Sequence, residues 1–202
     1  MIDIEARLKA PEIDPRAVEE MKRRLVGWAQ GEALVDVAYT PVESPIGTLI
    51  AASTRRGLVR VSFESESTDN VLEELAKSIS PRILESPAQL DDVRRELDEY
   101  FTGHRTAFDL PIDWKLARGD FSRRVLRAAR RIPFGSVSTY SDMARRAGSA
   151  RAARAAGNAL GSNPIPIVVP CHRVVHSGGG LGGYGGGLDK KKFLLKLEGG
   201  WD

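Results

Sequence analysis

The stretch TYSDMARRAGSARAARAAGNALGSNPIPIVVPCHRVV, residues 139–175, decides how the chemically interesting half of this chain is built. Thr139 can cap a short helix through Met143 and Ala144 that Gly148 breaks. Residues 150–160 then predict a second helix, ended by Gly161-Ser162-Asn163-Pro164. A helix, a tight glycine turn and a helix make a helix-turn-helix pattern, which also describes helical hairpins that bind nothing. The second helix is bare: Ala152, Ala153, Ala155, Ala156, Gly157 and Ala159 leave a surface punctuated by Arg151 and Arg154. Small residues suit close approach to a partner's backbone, and equally suit tight packing within the chain. Arg154 separates the two readings, because a buried arginine needs a partner and an exposed one can reach into a duplex.

Residues 165–169 read as a short apolar strand between Pro164 and Pro170 that delivers Cys171, the chain's single cysteine, at its end. The thiolate is the nucleophile, and a free thiol near pKa ~8.5 is mostly protonated at neutral pH, so a reactive cysteine needs a base or a positive field beside it. His172 and Arg173 supply both. Adjacent side chains on extended backbone point apart, which calls for a water between Cys171 and His172.

Working outward, charge is divided. Residues 1–114 carry 14 Lys and Arg against 22 Asp and Glu, a net of −8, whereas residues 115–202 carry 16 against 5, a net of +11. Ten arginines between Arg118 and Arg154 precede the cysteine. That density is the footprint of a protein that meets phosphate backbone, against the plainer reading of a solvated helix face.

Upstream, Asp14, Pro15 and the spacing of Val18, Met21, Leu25 and Trp28 predict an appended amphipathic helix over residues 14–28. Val35, Val37 and Tyr39, residues 47–52 and residues 58–63 predict antiparallel strands, the last two joined as a hairpin at Arg55-Arg56-Gly57. Thr68 is the expected cap of a helix carrying Val71, Leu72 and Leu75, and Leu90, Val93, Leu97 and Phe101 mark another. The fold class is therefore α+β: a small antiparallel-sheet domain followed by a mainly helical domain with the helix-turn-helix and the cysteine. Boundaries fall at residues 1–34, 35–114 and 115–202, the last at the extended run before Trp114 where the charge switches.

Downstream, Gly178 to Gly187 is a glycine-rich loop whose backbone can approach a flat ligand, with Tyr184 its one large side chain. Asp189 is the expected cap of a final helix with Phe193, Leu194 and Leu197 inward. Glu198 ends it, and position alone gives that glutamate no role. One cysteine forms no internal disulfide, and His104, His172 and His176 are too few for a structural metal site. No run approaches the roughly 18 apolar residues of a membrane span, and the start Met1-Ile-Asp-Ile-Glu lacks a signal-peptide pattern, so a reducing, cytoplasmic setting is expected.

These residues resemble a family, the O6-alkylguanine-DNA alkyltransferases, from about Ser44 onward. The resemblance rests on Ile132-Pro-Phe-Gly135, Tyr140, Arg154, Asn163-Pro164, the Pro170-Cys171-His172-Arg173-Val174 box, Gly183-Tyr184, Leu188, Leu194-Leu195 and Glu198. It implies direct reversal of DNA damage: O6-alkylguanine, chiefly O6-methylguanine and with it O4-alkylthymine, is flipped from duplex DNA and its alkyl group moved irreversibly to Cys171, once per molecule. His172 would act as base through water, Glu198 would orient His172, Asn163 would tie the recognition-helix turn to the active-site strand, and Tyr140 would help protonate the leaving guanine. Arg154 would enter the base stack from a helix in the minor groove, with Ala153, Ala155 and Gly157 as its bare face. Tyr184 and Gly185 would wall the pocket, with Arg173 and Lys191 as further DNA or substrate contacts. No cofactor or metal is implied, a bacterial cytoplasm or nucleoid is, and a monomer in solution is expected. The resemblance also implies a ribonuclease H-like fold over residues 35–114. Departures are residues 1–34, Leu126 where a tryptophan is common, Gly119-Asp120-Phe121, and the abundance of glycine in the pocket loop. Two rivals are a non-catalytic alkyl-lesion binding protein, which would lack the cysteine, and a cysteine hydrolase, which would turn over repeatedly without DNA.

Overall fold

The computed structural model describes residues 14–31 and 34–200, so the first thirteen residues of the expected extension lie outside the described residues. The chain divides into two compact units after Val35. In the first, helix α1 (Pro15–Gly31) starts where Asp14 Oδ1 accepts from the backbone N–H of Arg16 at 2.9 Å, with Pro15 in the first helical position. Met21, Leu25 and Trp28 are exposed along it.

The second unit begins with a four-stranded sheet in the order β3 (Gly57–Phe63), β2 (Leu49–Thr54), β1 (Val37–Val42), β4 (Ile83–Glu85). The first three strands are antiparallel, with Val37 opposite Thr54 and Leu49 opposite Phe63. Strand β4, too short to show an alternation in sequence, pairs with β1 in parallel, so the sheet is mixed. Asp36 anchors it there: its carboxylate accepts from Arg82 Nε and Nη2, each at 2.8 Å, and from Ser80 Oγ at 2.6 Å.

Both faces of β2 are buried. Ile50 and Ala52 meet Val71 and Leu75 of α2 (Thr68–Ser78), whose cap is Ser67 rather than the expected Thr68. Leu49 and Ala51 face a larger core that also takes in Leu97 and Tyr100 of α3 (Asp91–Phe101), Val125, Leu126 and Ala129 of α4 (Asp120–Arg130), and Leu194 of α7 (Leu188–Leu197). Full burial of each large aliphatic side chain there contributes about 1.5–3 kcal/mol.

Helices α5 (Tyr140–Arg146) and α6 (Ala153–Gly161) make the helix-turn-helix, and both pack on α4. Thr139 caps α5, accepting from Asp142 N–H at 3.1 Å. Helix α6 begins at Ala153 instead of residue 150, since Ala152 N–H closes a turn on the Ser149 carbonyl at 3.0 Å. Residues 165–169 correct the sequence reading: they form buried turns, not a strand. Pro164, Pro166 and Pro170 offer no ladder N–H, and Ile167 sits at φ 73°, a conformation a β-branched residue rarely adopts. The turns lean on the sheet, where Val61 N–H donates to the Pro164 carbonyl at 2.9 Å. Residues Ser138–Thr139 (β5) and Val174–Val175 (β6) pair in parallel, fixing the start of α5 beside the cysteine segment. Helix α7 starts at Leu188 with Gly187 at φ 90° as its cap, which leaves Asp189 inside the first turn.

Candidate active site

Cys171 opens a single 3-10 turn, Cys171–Arg173, directly after Pro170. It is 7% exposed. Asn163 holds the approach: its Nδ2 donates to the Val169 carbonyl at 2.8 Å and to Cys171 Sγ at 3.1 Å, while its Oδ1 accepts from Ile165 N–H at 3.1 Å. Burial pushes the Cys171 thiol above its ordinary pKa, and the Asn163 hydrogen bond, the Lys191 charge and the backbone N–H groups of Cys171 and His172 pull it back.

His172 is fully buried. Its Nε2 lies 2.8 Å from Glu198 Oε1. A carboxylate only accepts, so Nε2 carries the proton and Nδ1 holds a lone pair with no partner among the described residues. Burial lowers the His172 pKa against the opposing pull of Glu198, which favours the neutral imidazole with its open lone pair at Nδ1. Glu198 in turn is crowded with donors. Arg173 Nε donates to Oε2 at 2.7 Å and Arg173 Nη2 to Oε1 at 2.9 Å, and Tyr100 Oη donates to Oε1 at 2.6 Å. Burial alone would raise the carboxyl, but the His172 and Arg173 hydrogen bonds outweigh it and hold Glu198 at about 2.

An open cavity of about 630 Å³ reaches Cys171, and Tyr140, Arg154, Gly157, Asn158, His176 and Tyr184 are among its walls. Tyr140 stands at the start of α5 with its ring 5.0 Å from that of His176. Burial, then the Cys171 charge, raises its phenol pKa. The glycine loop fits around this ring: Gly182 has φ 69°, and a Cβ there would collide with the Tyr140 hydroxyl. Tyr184 packs edge-on against Phe63 of β3 at 5.6 Å and has a buried hydroxyl with no partner among the described residues.

The structure brings most of the expected residues together. Arg154, Ala153, Gly157, Tyr184 and Gly185 line the cavity with Cys171 and Tyr140, and Arg154 is exposed. Ala155 is exposed on the same helix without lining it. Two placements differ from the DNA or substrate contacts that the resemblance implies. Arg173 is buried, with both Glu198 oxygens and the Ile132 carbonyl (2.6 Å) as acceptors, because a guanidinium enclosed this way must be paired. Lys191 is fully buried too, donating to the carbonyls of Val174 (2.7 Å) and Leu181, and burial brings its pKa down to about 8. Both act inside the protein. Tyr100 was missed, although its place beside Val93 and Leu97 on one helix face marked it as a buried phenol in need of an acceptor.

Among the described residues no group of three or more His, Cys, Asp or Glu is placed to hold a metal ion, and no helix is long and apolar enough to cross a membrane.

Residues 37–114 match the family model for the 6-O-methylguanine DNA methyltransferase ribonuclease-like domain, and residues 120–200 match that for the DNA binding domain of the same proteins. The chain is 40% identical over 167 residues to the methylated-DNA–protein-cysteine methyltransferase of Mycolicibacterium paratuberculosis, covering 80% of this chain and 92% of the relative. It is 37% identical over 161 residues to the constitutive enzyme of that name from Bacillus subtilis, covering 79% and 94%. Among solved structures, the Mycobacterium tuberculosis O6-methylguanine methyltransferase superposes with a TM-score of 0.70 at 36% identity over 82% of this chain and 94% of that one. A crystal structure of the M. tuberculosis protein in complex with DNA gives the same score and identity over 80% and 92%. With both halves matched by its models and relatives this similar along nearly their whole length, the chain belongs to the family of methylated-DNA–protein-cysteine methyltransferases.

Proposed function

We propose that this protein repairs O6-alkylguanine, O6-methylguanine above all, by flipping the damaged base out of duplex DNA and moving its alkyl group to Cys171 in a single turnover. The observation that carries this reading is that one cavity holds both the Cys171 thiol and Arg154, exposed on a helix of alanine and glycine. Helix α6 enters the minor groove, Arg154 takes the place of the flipped base, and Ala153, Ala155 and Gly157 allow the backbone to come close.

In the transfer, the thiol proton leaves through a water to Nδ1 of His172, whose Nε2–H is held by Glu198. Sulfur attacks the alkyl carbon in line, the carbon–oxygen bond to guanine breaks, and a carbon–sulfur bond forms. The departing guanine takes a proton at its ring nitrogen, assisted by Tyr140, and His172 gives back through water the proton it took, so in the net reaction the thiol hydrogen ends on the restored base. The product is a thioether that water and cellular thiols do not cleave, which ends the protein's activity. O4-alkylthymine, with the same alkyl–oxygen linkage, is a second substrate. The protein works as a monomer, in the compartment that holds the DNA. A lesion-binding protein without chemistry would have no use for the Asn163–Cys171 and His172–Glu198 contacts.

A stoichiometry experiment tests this. With lesion-bearing duplex in tenfold excess, repaired guanine should plateau at one per protein, and Cys171→Ala should repair none while still binding the duplex. Continued turnover, or repair by Cys171→Ala, would refute it.

A further inference from the structure

Helix α4 presents Arg124, Arg127 and Ala128 along one stripe that Arg131 continues just past its end, and with Arg146 at the end of α5 they enclose a second cleft of about 360 Å³ that does not share a residue with the cavity of Cys171. Two neighbouring arginines are neutralised on their own helices, Arg123 by Asp120 at 2.5 Å and Arg145 by Asp142, and Arg130 turns away to donate to the Leu110 carbonyl at 2.9 Å. No carboxylate among the described residues pairs with the four in the cleft. Arg124 Nε donates to the Ala147 carbonyl at 2.8 Å, Arg127 lies over the Trp114 ring at 5.8 Å, and all four are exposed. Four guanidinium groups around one hollow, none in an ion pair and only Arg124 within the field of a carboxylate, Asp120, among the described residues, repel one another unless an anion sits among them. The guanidinium fork suits phosphate oxygens.

We infer that this cleft is a second phosphate site, taken by the sugar–phosphate backbone of the duplex to one side of the lesion. The inference rests on the DNA-repair reading above and extends its footprint. The Arg124–Ala147 hydrogen bond ties the cleft to the turn between α5 and α6, the two helices of the DNA-reading motif. Six residues of α5, about 9 Å along its axis, separate Tyr140 at the cavity from Arg146 at the cleft. At 3.4 Å per step that is roughly two to three base pairs. A backbone contact there fixes the register of the protein on DNA without reading sequence.

The test compares two double variants that lose the same charge. R131Q/R146Q removes cleft arginines that make no hydrogen bond or ion pair within the described residues, and R123Q/R145Q removes the two paired ones. Binding to a 24-base-pair duplex with one central O6-methylguanine is measured from 50 to 250 mM KCl, with methyl transfer at saturating DNA followed in the same samples. For R131Q/R146Q the slope of log affinity against log salt should shallow by about 1 to 2, from about 0.9 per phosphate, and affinity at 100 mM should fall roughly ten- to fiftyfold. R123Q/R145Q should change the slope by less than about 0.5, and transfer at saturation should stay within about twofold of the native protein in both. Equal slopes in native and R131Q/R146Q protein, or equal losses in the two variants, would overturn the cleft assignment. A native protein that acquires no methyl group would instead overturn the repair reading. If R131Q/R146Q fails to fold, Arg127→Gln alone should lower the slope by about 0.9, and an unchanged slope would refute the site.

Discussion

Tyr100 Oη donates to Glu198 Oε1 at 2.6 Å, so a phenol from α3, in the part of the chain matched by the ribonuclease-like model, reaches the carboxylate that holds His172. Four groups meet on this one acid: Tyr100, His172, Arg173 and, at a longer 3.4 Å, the Gly135 N–H. The orientation of the histidine therefore depends on packing between both halves of the second unit.

Tyr100→Phe keeps the ring and removes only the donor. We expect a stability loss of about 1.5–3 kcal/mol, the scale of a hydrogen bond to a charged group, and a several-fold slower transfer at saturating lesion DNA. Urea unfolding and rapid-quench single-turnover rates measure the two. A rate equal to native would show that Glu198 is positioned without it.

Glu198 sets an acid limit. Its folded pKa of about 2 lies below its ordinary 4.5, so its contribution to stability is fully present above pH 4.5 and is lost as pH falls from there toward 2. Glu198→Gln should cost about 3–5 kcal/mol at pH 7, since it leaves buried Arg173 unpaired. It should also flatten the stability profile between pH 5 and 3, as read by urea unfolding across that range. An unchanged slope would contradict the network.

Much of this was legible in the sequence, and the exceptions have physical causes. Thr139, Asp14 and Pro15 announced their helix starts because capping is local. The Cys171–His172 pair was legible because the two are adjacent, whereas Glu198 joins His172 across 26 residues and Tyr100 joins Glu198 across 98, distances over which periodicity carries no information. Residues 165–169 looked like a strand because apolar runs suit strands and buried turns alike, and the left-handed Ile167 is set by its surroundings rather than by its own preference. The resemblance made Arg173 a DNA or substrate contact, and its internal role was not legible because its partners lie at Ile132 and Glu198, far along the chain. Strand β4 was missed because three residues show no alternation.

Asn163→Ala removes the amide that bridges Val169, Ile165 and the thiol. The Cys171 pKa should rise, because the lost hydrogen bond is one of the forces lowering it. The pH at which the thiol reacts half-maximally with iodoacetamide should move upward, with stability lower by about 1–3 kcal/mol. A downward move would contradict the assigned direction.

Gly182→Ala should be costly out of proportion to one methyl group. The position has φ 69° and the new Cβ would strike the Tyr140 hydroxyl. Transfer should slow by tenfold or more, while Gly183→Ala, which meets nothing within 4 Å, should stay near native. Equal rates for the two would show that the loop does not position Tyr140.

The most direct measurement is the intact mass of the protein, followed by peptide mapping, after mixing with a duplex that carries a single O6-methylguanine. A gain of one methyl group located on Cys171, with unmodified guanine restored in the DNA and no gain from an undamaged duplex, is the predicted result. Tight, lesion-dependent binding with no change in mass would contradict alkyl transfer and leave recognition of damage as the protein's role.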